Sequence, residues 1–232
     1  MNQTVIIGGS SGIGNALAQK LSSSGVKVCA TYHNTKPQAN GNNIQFHQLD
    51  VLNDEADLSF LPEQIDGLVY CPGAIDLRPI SRIKPKEFID DFNLQVVGAI
   101  KIIQAALPKL KKSGSPSIVL FSTVAVQMGF PSHTKVAASK GAIEGLGRSL
   151  AAELAPKIRV NVIAPSITDT PMAAGLLNSV EKKEANAARH PLKKIGDANQ
   201  IASVAEFLLS DKANWITGQV LHIDGGISNL KV

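Results

Sequence analysis

Apolar positions in this 232-residue chain fall into short runs separated by longer stretches of helical periodicity. The runs at residues 4–7, 27–31, 45–48, 67–71, 117–122, 159–164 and 220–223 are mostly continuous Val, Ile and Leu, without polar alternation. Such runs fit strands covered on both faces, as in a parallel sheet. Helical spacing of apolar residues occupies 13–24, 86–111, 137–154 and 198–209. Strand and helix taking turns predicts an α/β fold, a doubly wound parallel sheet with helices on both faces. No repeat, low-complexity tract or Pro/Gly/Ser linker breaks the pattern, so residues 1–232 read as a single domain. The long stretch at 169–195 mixes Ala173, Ala174, Leu176 and Leu177 with the charged run Glu181-Lys182-Lys183-Glu184. Following a strand's carboxyl end, it reads as a substrate lid or as a surface helical hairpin.

Bulk properties narrow the function classes. The net charge of +4 is scattered, and the pairs Lys111-Lys112, Lys182-Lys183 and Lys193-Lys194 suit solvated helix faces and loops. This excess would attract an anionic ligand such as a phosphorylated cofactor but gives no basis for a nucleic-acid partner. Met1 leads directly into an apolar strand pattern, and no run is long enough to span a bilayer. A cytoplasmic location without membrane attachment is the expectation. Cys29 and Cys71 sit in strand-like segments without metal-ligand spacing, so they read as buried reduced thiols, and no metal is expected.

The first strand runs into Gly8-Gly9-Ser10-Ser11-Gly12-Ile13-Gly14, which opens the first helix. A tight turn here needs glycine's freedom in φ, and close approach of the backbone to a pyrophosphate needs an absent Cβ. Free N–H groups at the helix start, including those around Ser10, Ser11 and Ile13, then bind phosphate with help from the helix dipole. The strand before and the helix after are the context that makes a glycine-rich turn a dinucleotide site of the Rossmann type.

The glycine spacing resembles the T-G-x-x-x-G-x-G motif of short-chain dehydrogenases/reductases, with Gly8, Gly12 and Gly14 in place and Ile7 at the Thr position. Leu49-Asp50-Val51 is similar to the family's segment after strand three, whose Asp meets the adenine. Tyr70-Cys71-Pro72-Gly73 stands where the family has N-N-A-G, so only Gly73 is kept. Asn93, on the long helix, is assigned to the family's catalytic Asn. Asn161-Val162-Ile163-Ala164-Pro165-Ser166, with Thr168, Thr170 and Met172 after it, resembles N-x-x-x-P-G…T, where the Thr holds the nicotinamide carboxamide. Ile216-Thr217-Gly218-Gln219 and Asp224-Gly225-Gly226 match the family's C-terminal segments. The resemblance spans nearly the whole chain and implies a nicotinamide cofactor.

The end of the second strand separates NAD from NADP. An acid there would accept from the ribose 2′-OH and repel a 2′-phosphate. The chain reads Ala30-Thr31-Tyr32-His33-Asn34, with Tyr32 where NAD-preferring relatives carry Asp. His33 and Lys36 offer donors to a 2′-phosphate, which favours NADP over NAD. His33 as an exposed loop residue stays open.

Carbonyl reduction leaves negative charge on oxygen, which a positioned acid must neutralise. The family uses a Ser that binds the substrate oxygen, a Tyr that exchanges the proton, a Lys one turn later and an ordering Asn. Lys140, in Ala137-Ala138-Ser139-Lys140-Gly141, matches that Lys, and the Ser position falls on Thr123. The Tyr position is Val136, which can neither give nor take a proton. The only tyrosines, Tyr32 and Tyr70, lie in segments assigned to the cofactor. A general acid is worth about two to four orders of magnitude in rate. His133, one turn before the helix, is the candidate substitute, since an unperturbed imidazole titrates near neutrality. Lys135, Thr134 and Lys140 are lesser candidates.

The leading expectation is an NAD(P)-dependent oxidoreductase acting on a small carbonyl or alcohol substrate with an atypical proton-transfer site. Alternatives are a non-catalytic NAD(P)-binding protein, and a lyase or isomerase reusing the pocket. The helices at 86–111 and 137–154 look like the pair that relatives use to assemble, predicting a homodimer or homotetramer. The small residues Ala137, Ala138, Gly141, Ala142, Gly145 and Gly147 of the second helix would serve such contacts or packing on the sheet.

Overall fold

Successive side chains in Val5-Ile6-Ile7 point to opposite faces of a sheet, and all three are fully buried. Val5 and Ile7 join Leu68, Ile118 and Leu120 in one apolar layer, against Ala99, Ile102, Ile103 and Ile143. Ile6 joins Val69, Val119 and Ile163 in the other, against Leu17, Leu21, Ile201 and Leu208. Double coverage explains why the strands carry continuous apolar runs.

The computed structural model describes residues 1–34, 37 and 43–231. Its strands are β1 (Gln3–Ile7), β2 (Lys27–Tyr32), β3 (Ile44–Gln48), β4 (Gly67–Tyr70), β5 (Ser117–Phe121), β6 (Arg159–Pro165), the short β7 (Thr168–Asp169) and β8 (Gly196–Asp197), and β9 (Val220–Ile223). Seven of them form one parallel sheet in the order β3-β2-β1-β4-β5-β6-β9. Helices α1 (Gly12–Ser23) and α7 (Ala198–Leu209) cover one face. Helices α3 (Gly98–Leu110) and α5 (Thr134–Leu154), the latter preceded by the short α4 (Ala125–Met128), cover the other. This is the doubly wound, single-domain α/β architecture expected of the sequence. The chain winds outward from β1 through β2 and β3, then crosses back to β4 beside β1, and this reversal opens a crevice at the carboxyl ends of the strands.

The long helix expected at 86–111 is not uniform. It divides into α2 (Pro85–Phe92), a π-helical turn (Asn93–Val97) and α3. The Tyr70 hydroxyl, reaching up from β4, donates to the Leu94 carbonyl at 2.6 Å. Tyr70 also fills the space beneath Gly98, where a Cβ would stand 2.4 Å from its oxygen. A side chain inserted into the helix ladder widens the turn locally. Helix α5 starts three residues before its apolar periodicity, at Thr134, and ends as expected at Leu154. Ser122 Oγ donates to Glu144 at 2.8 Å and ties α5 to the end of β5.

The stretch at 169–195 leaves and re-enters the body at one point. Thr168 and Asp169 of β7 pair with Gly196 and Asp197 of β8. Between them lie a 3-10 helix (Pro171–Leu176) and α6 (Val180–Ala188), capped by Ser179, whose Oγ accepts from the Lys182 N–H at 3.3 Å. Among the described residues, no helix is long and apolar enough to cross a membrane.

Close approach of α5 to the sheet rests on Gly147, where a Cβ would lie 2.5 Å from Val162 Cγ2. Overpacking of this kind costs about 1–3 kcal/mol, against about 1 kcal/mol of helix propensity gained by alanine. Gly147→Ala is therefore expected to lower the urea midpoint, and adding Val162→Ala is expected to shrink the steric part of that loss. A Gly147→Ala protein as stable as the parent would refute the packing account.

Candidate functional site

The crevice is built first from backbone. Gly8 and Gly12 adopt φ of +76° and +52°, in the left-handed region that favours glycine. A Cβ on Gly14 would lie 2.3 Å from the Gly8 carbonyl oxygen, so the turn closes only on glycine. The Gly8 N–H donates to Thr31 Oγ1 at 2.9 Å, fixing the loop to β2. Ser11 is the extended N-cap of α1, and its side chain makes no capping bond. The first-turn N–H groups thus keep their donors for an anion.

Around this loop lies a cavity of about 700 Å³ over the carboxyl ends of the central strands. Gly8, Ser10, Ser11, Gly12, Ile13, Gly14, Tyr32, His33, Asp50, Val51, Gly73, Thr123, His133, Lys140, Pro165, Thr168 and Thr170 all line it. The structure thus brings together every expected site residue but one. Thr170 closes over the loop, its Cβ 3.4 Å from where a Gly12 Cβ would stand. At the β2 end, His33 Nε2 lies 3.7 Å from the Asp50 carboxylate, and both side chains are exposed. Lys36 lies outside the described residues.

Asn93 is the exception. It is exposed and outside the cavity, because the π-helical turn carries it to the solvent side. Gln95, two residues on, takes the inward place and is fully buried. Its Nε2 donates to Asp91 at 2.8 Å, and Ser139 of α5 donates to the same carboxylate oxygen at 2.6 Å. Gln95 Oε1 has no partner among the described residues. Gln95 and the Lys140 ammonium converge on Gly73, lying 3.4 and 3.6 Å from where its Cβ would be. The sequence signal was present: one polar residue inside the apolar run Leu94-Gln95-Val96-Val97.

Desolvation lowers the Lys140 pKa to about 8, against the opposing pull of Asp91 and Cys71. Burial also pushes the Cys71 thiol up to about 12. The neighbouring lysine has a different fate: Lys135 is buried in an ion pair with Asp76, which also binds Arg78. Asp76 is accordingly held well below the usual carboxylate range by its hydrogen bonds to Arg78 and Lys135. Lys135 is thereby committed to structure.

No tyrosine reaches the reaction end. Val136 lines the cavity wall and is 8% exposed. Tyr70 lies in the core, and burial raises its phenol pKa. Its hydroxyl is spent on Leu94, a structural task that its segment's cofactor assignment did not foresee. Thr123 Oγ1 accepts from the Ala125 N–H at 3.3 Å, leaving its own hydrogen to donate. His133, at the N-cap of α5, holds Nδ1 2.8 Å from the Pro131 carbonyl and leans on Phe130. The Arg189 guanidinium lies over that same Phe130 ring, 5.3 Å from its centroid.

Sequence reading passed over one further pair. His190, 3% exposed, places Nε2 2.8 Å from Ser166 Oγ and Nδ1 2.8 Å from the Asn186 carbonyl. Both residues line the cavity. Ser166 stands at the Gly of N-x-x-x-P-G, a departure that marks the position in hindsight.

The sequence model of the family described as Enoyl-(Acyl carrier protein) reductase matches residues 8–228. A tropinone reductase homolog of Arabidopsis thaliana is 32% identical over 241 residues, covering 97% of this chain and 92% of its own. A 3-oxoacyl-(acyl-carrier-protein) reductase of Staphylococcus aureus is 30% identical over 239 residues, covering 96% of each. Among solved structures, ElxO with NADP bound superposes with a TM-score of 0.90 at 28% identity, over 99% of both chains. A short-chain type dehydrogenase/reductase from Mycobacterium ulcerans gives 0.88 at 27% identity, over 98% of this chain and 90% of that one. With the glycine turn, Lys140 and the strand order all in one frame, the chain belongs to the short-chain dehydrogenase/reductase family.

Proposed function

We propose that this protein is an NAD(P)-dependent oxidoreductase acting on a small carbonyl or alcohol substrate, with a proton-transfer site that does without tyrosine. The observation that carries it is the convergence of the glycine cradle, Thr123 and Lys140 on one cavity. A nicotinamide dinucleotide bound there supplies or accepts the hydride. The α1 turn takes its phosphates, Asp50 and Val51 border the adenine, and Pro165, Thr168 and Thr170 border the nicotinamide. Lys140 holds the ribose hydroxyls, and Gln95 takes the place assigned to the ordering Asn. The Thr123 hydroxyl donates to the substrate oxygen, and His133 borders the mouth where protons exchange with solvent. Tyr32 and His33, with no carboxylate on the β2 end itself, favour NADP over NAD. The 169–195 excursion serves as the substrate lid, its Met172, Leu176 and Arg189 facing the cavity.

Val136 favours a second reading, a binding protein on an enzyme scaffold. Fluorescence titration is expected to show NADPH binding tighter than NADH, with NADPH oxidised when a 3-oxoacyl thioester is added. Binding without turnover, restored by Val136→Tyr, would establish the second reading; no binding at all would overturn both.

Lys140 gives the pH dependence. Its folded pKa is depressed to about 8, so its charge is present below that value and lost above it. Dinucleotide affinity is expected to fall as pH rises through 8, by at most about tenfold per pH unit for one proton, and Lys140→Met is expected to flatten that limb. An equally steep limb in the variant would assign it elsewhere.

Assembly as a homodimer or homotetramer is proposed for the faces of α2 and α5, where Ile89 and Phe92 are exposed. Light scattering is expected to give a multiple of the 24.5 kDa chain mass; a monomer would refute it.

A further inference from the structure

The oxidoreductase reading leaves the substrate oxygen without an inner proton donor, and this inference rests on that reading. We propose that Ser166 and His190 form that donor, a hydroxyl–imidazole relay on the wall of the cavity.

Placement comes from the sheet. The Val124 N–H donates to the Pro165 carbonyl at 3.2 Å, so 123–124 and 165–166 are adjoining strand ends. Thr123 and Ser166 therefore face the same cavity from β5 and β6. The hydrogen bonds fix the tautomer. A carbonyl can only accept, so the Nδ1 facing Asn186 carries hydrogen. In the neutral imidazole Nε2 is then the acceptor, and the Ser166 hydroxyl donates to it. The neutral pair is set to take a proton from a substrate alcohol. In the imidazolium, Nε2–H donates to Ser166 Oγ and frees the serine hydrogen for the cavity, so the charged pair is set to deliver one.

The step balances. In reduction the substrate carbon takes the hydride from the reduced nicotinamide, and the substrate oxygen takes the Ser166 hydrogen. Ser166 Oγ takes the Nε2 proton, and His190 ends neutral. Alcohol oxidation reverses each transfer. His190 is packed for this role: a Cβ on Gly225 would stand 3.4 Å from the His190 Cβ, beneath the C-terminal end of α6. The charged and titratable groups around it are Arg189 and Lys193 beside it in the chain and Asp224 after β9. His133 and Lys140 share the cavity. Lys193 Nζ is taken up by the Ala188 carbonyl, and Asp224 accepts from Ser228 and Gly226.

A latch tying the lid to β6 would use the same hydrogen bonds, so the test must see protons. NADPH oxidation with 3-oxobutanoyl-N-acetylcysteamine is followed from pH 5 to 9 for the parent, Ser166→Ala, His190→Gln and His133→Gln, with NADPH binding measured for each. In the parent, kcat for reduction is expected to fall as rising pH removes the relay proton. Ser166→Ala and His190→Gln are expected to lower kcat by about a hundredfold or more and to abolish that limb, while binding NADPH as the parent does. Glutamine can keep the hydrogen bond without titrating, so a mere latch would survive it. In NADPH-bound, 15N-histidine-labelled protein, the neutral His190 ring is expected as the Nδ1–H tautomer, with an Nε2 resonance that moves in Ser166→Ala. Retained kcat and limb, loss of the limb in His133→Gln instead, or loss of NADPH binding with kcat would overturn the relay alone. A parent that binds NADPH but oxidises none of it would overturn the oxidoreductase reading and the relay with it.

Discussion

The hydrogen bond from Tyr70 to the Leu94 carbonyl couples the middle of the sheet to the helices that floor the cavity. Tyr70 is buried and the carbonyl it meets lies in the π-helical turn, where an unmet carbonyl would cost about 1–3 kcal/mol. The widened turn that results sends Asn93 outward and Gln95 inward. Gln95 and Ser139 then share Asp91, which fastens α2 to α5 one residue before Lys140. A core tyrosine thus sets the position of a lysine on another helix, through two buried hydrogen bonds.

The fold was legible because both faces of the sheet are covered. Residues such as 117–121 leave no solvent face to carry polar residues, and they stand out as apolar runs. The glycine turn was legible for the opposite reason: Gly8, Gly12 and Gly14 answer a backbone demand that no other residue meets. What escaped reading depends on contacts across the chain. The π-helical turn is imposed by Tyr70, more than twenty residues upstream, and a helix period has no term for it. Asn93, matched to the family's Asn on the long helix, therefore faces solvent, while an isolated Gln in an apolar run carried the information. Ser166 and His190 are ordinary residues in their own segments, and only the return of the 169–195 excursion brings them within 2.8 Å.

Two lysines five positions apart on α5 show how the surroundings divide structural from functional charge. Lys135 meets Asp76 in a network that runs through Arg78 to Glu87, joining the 76–87 segment to the helix. Among the described residues Lys140 has no such ion pair, and desolvation outweighs the pull of Asp91 on its charge. A buried ammonium without an ion pair is costly alone and gains when an oxygen-rich ligand arrives. On the proposed reading, that imbalance makes Lys140 the binding lysine of the two.

Val136 changes the logic of the site more than its residue type suggests. On the proposed reading, a buried isopropyl group on the α5 wall takes the place of a donor and keeps that wall dry, which strengthens the remaining hydrogen bonds. On the proposed reading, the substrate oxygen is approached by Thr123 from β5 and by Ser166 from β6, so both donors now come from strand ends. Strand ends are held by the sheet, whereas His190 arrives on the lid. Proton supply would then exist only when the lid is seated, because lifting α6 separates His190 from Ser166 and leaves the serine without its base. A tyrosine on α5 is a fixed acid; a serine served from the lid ties the chemistry to closure.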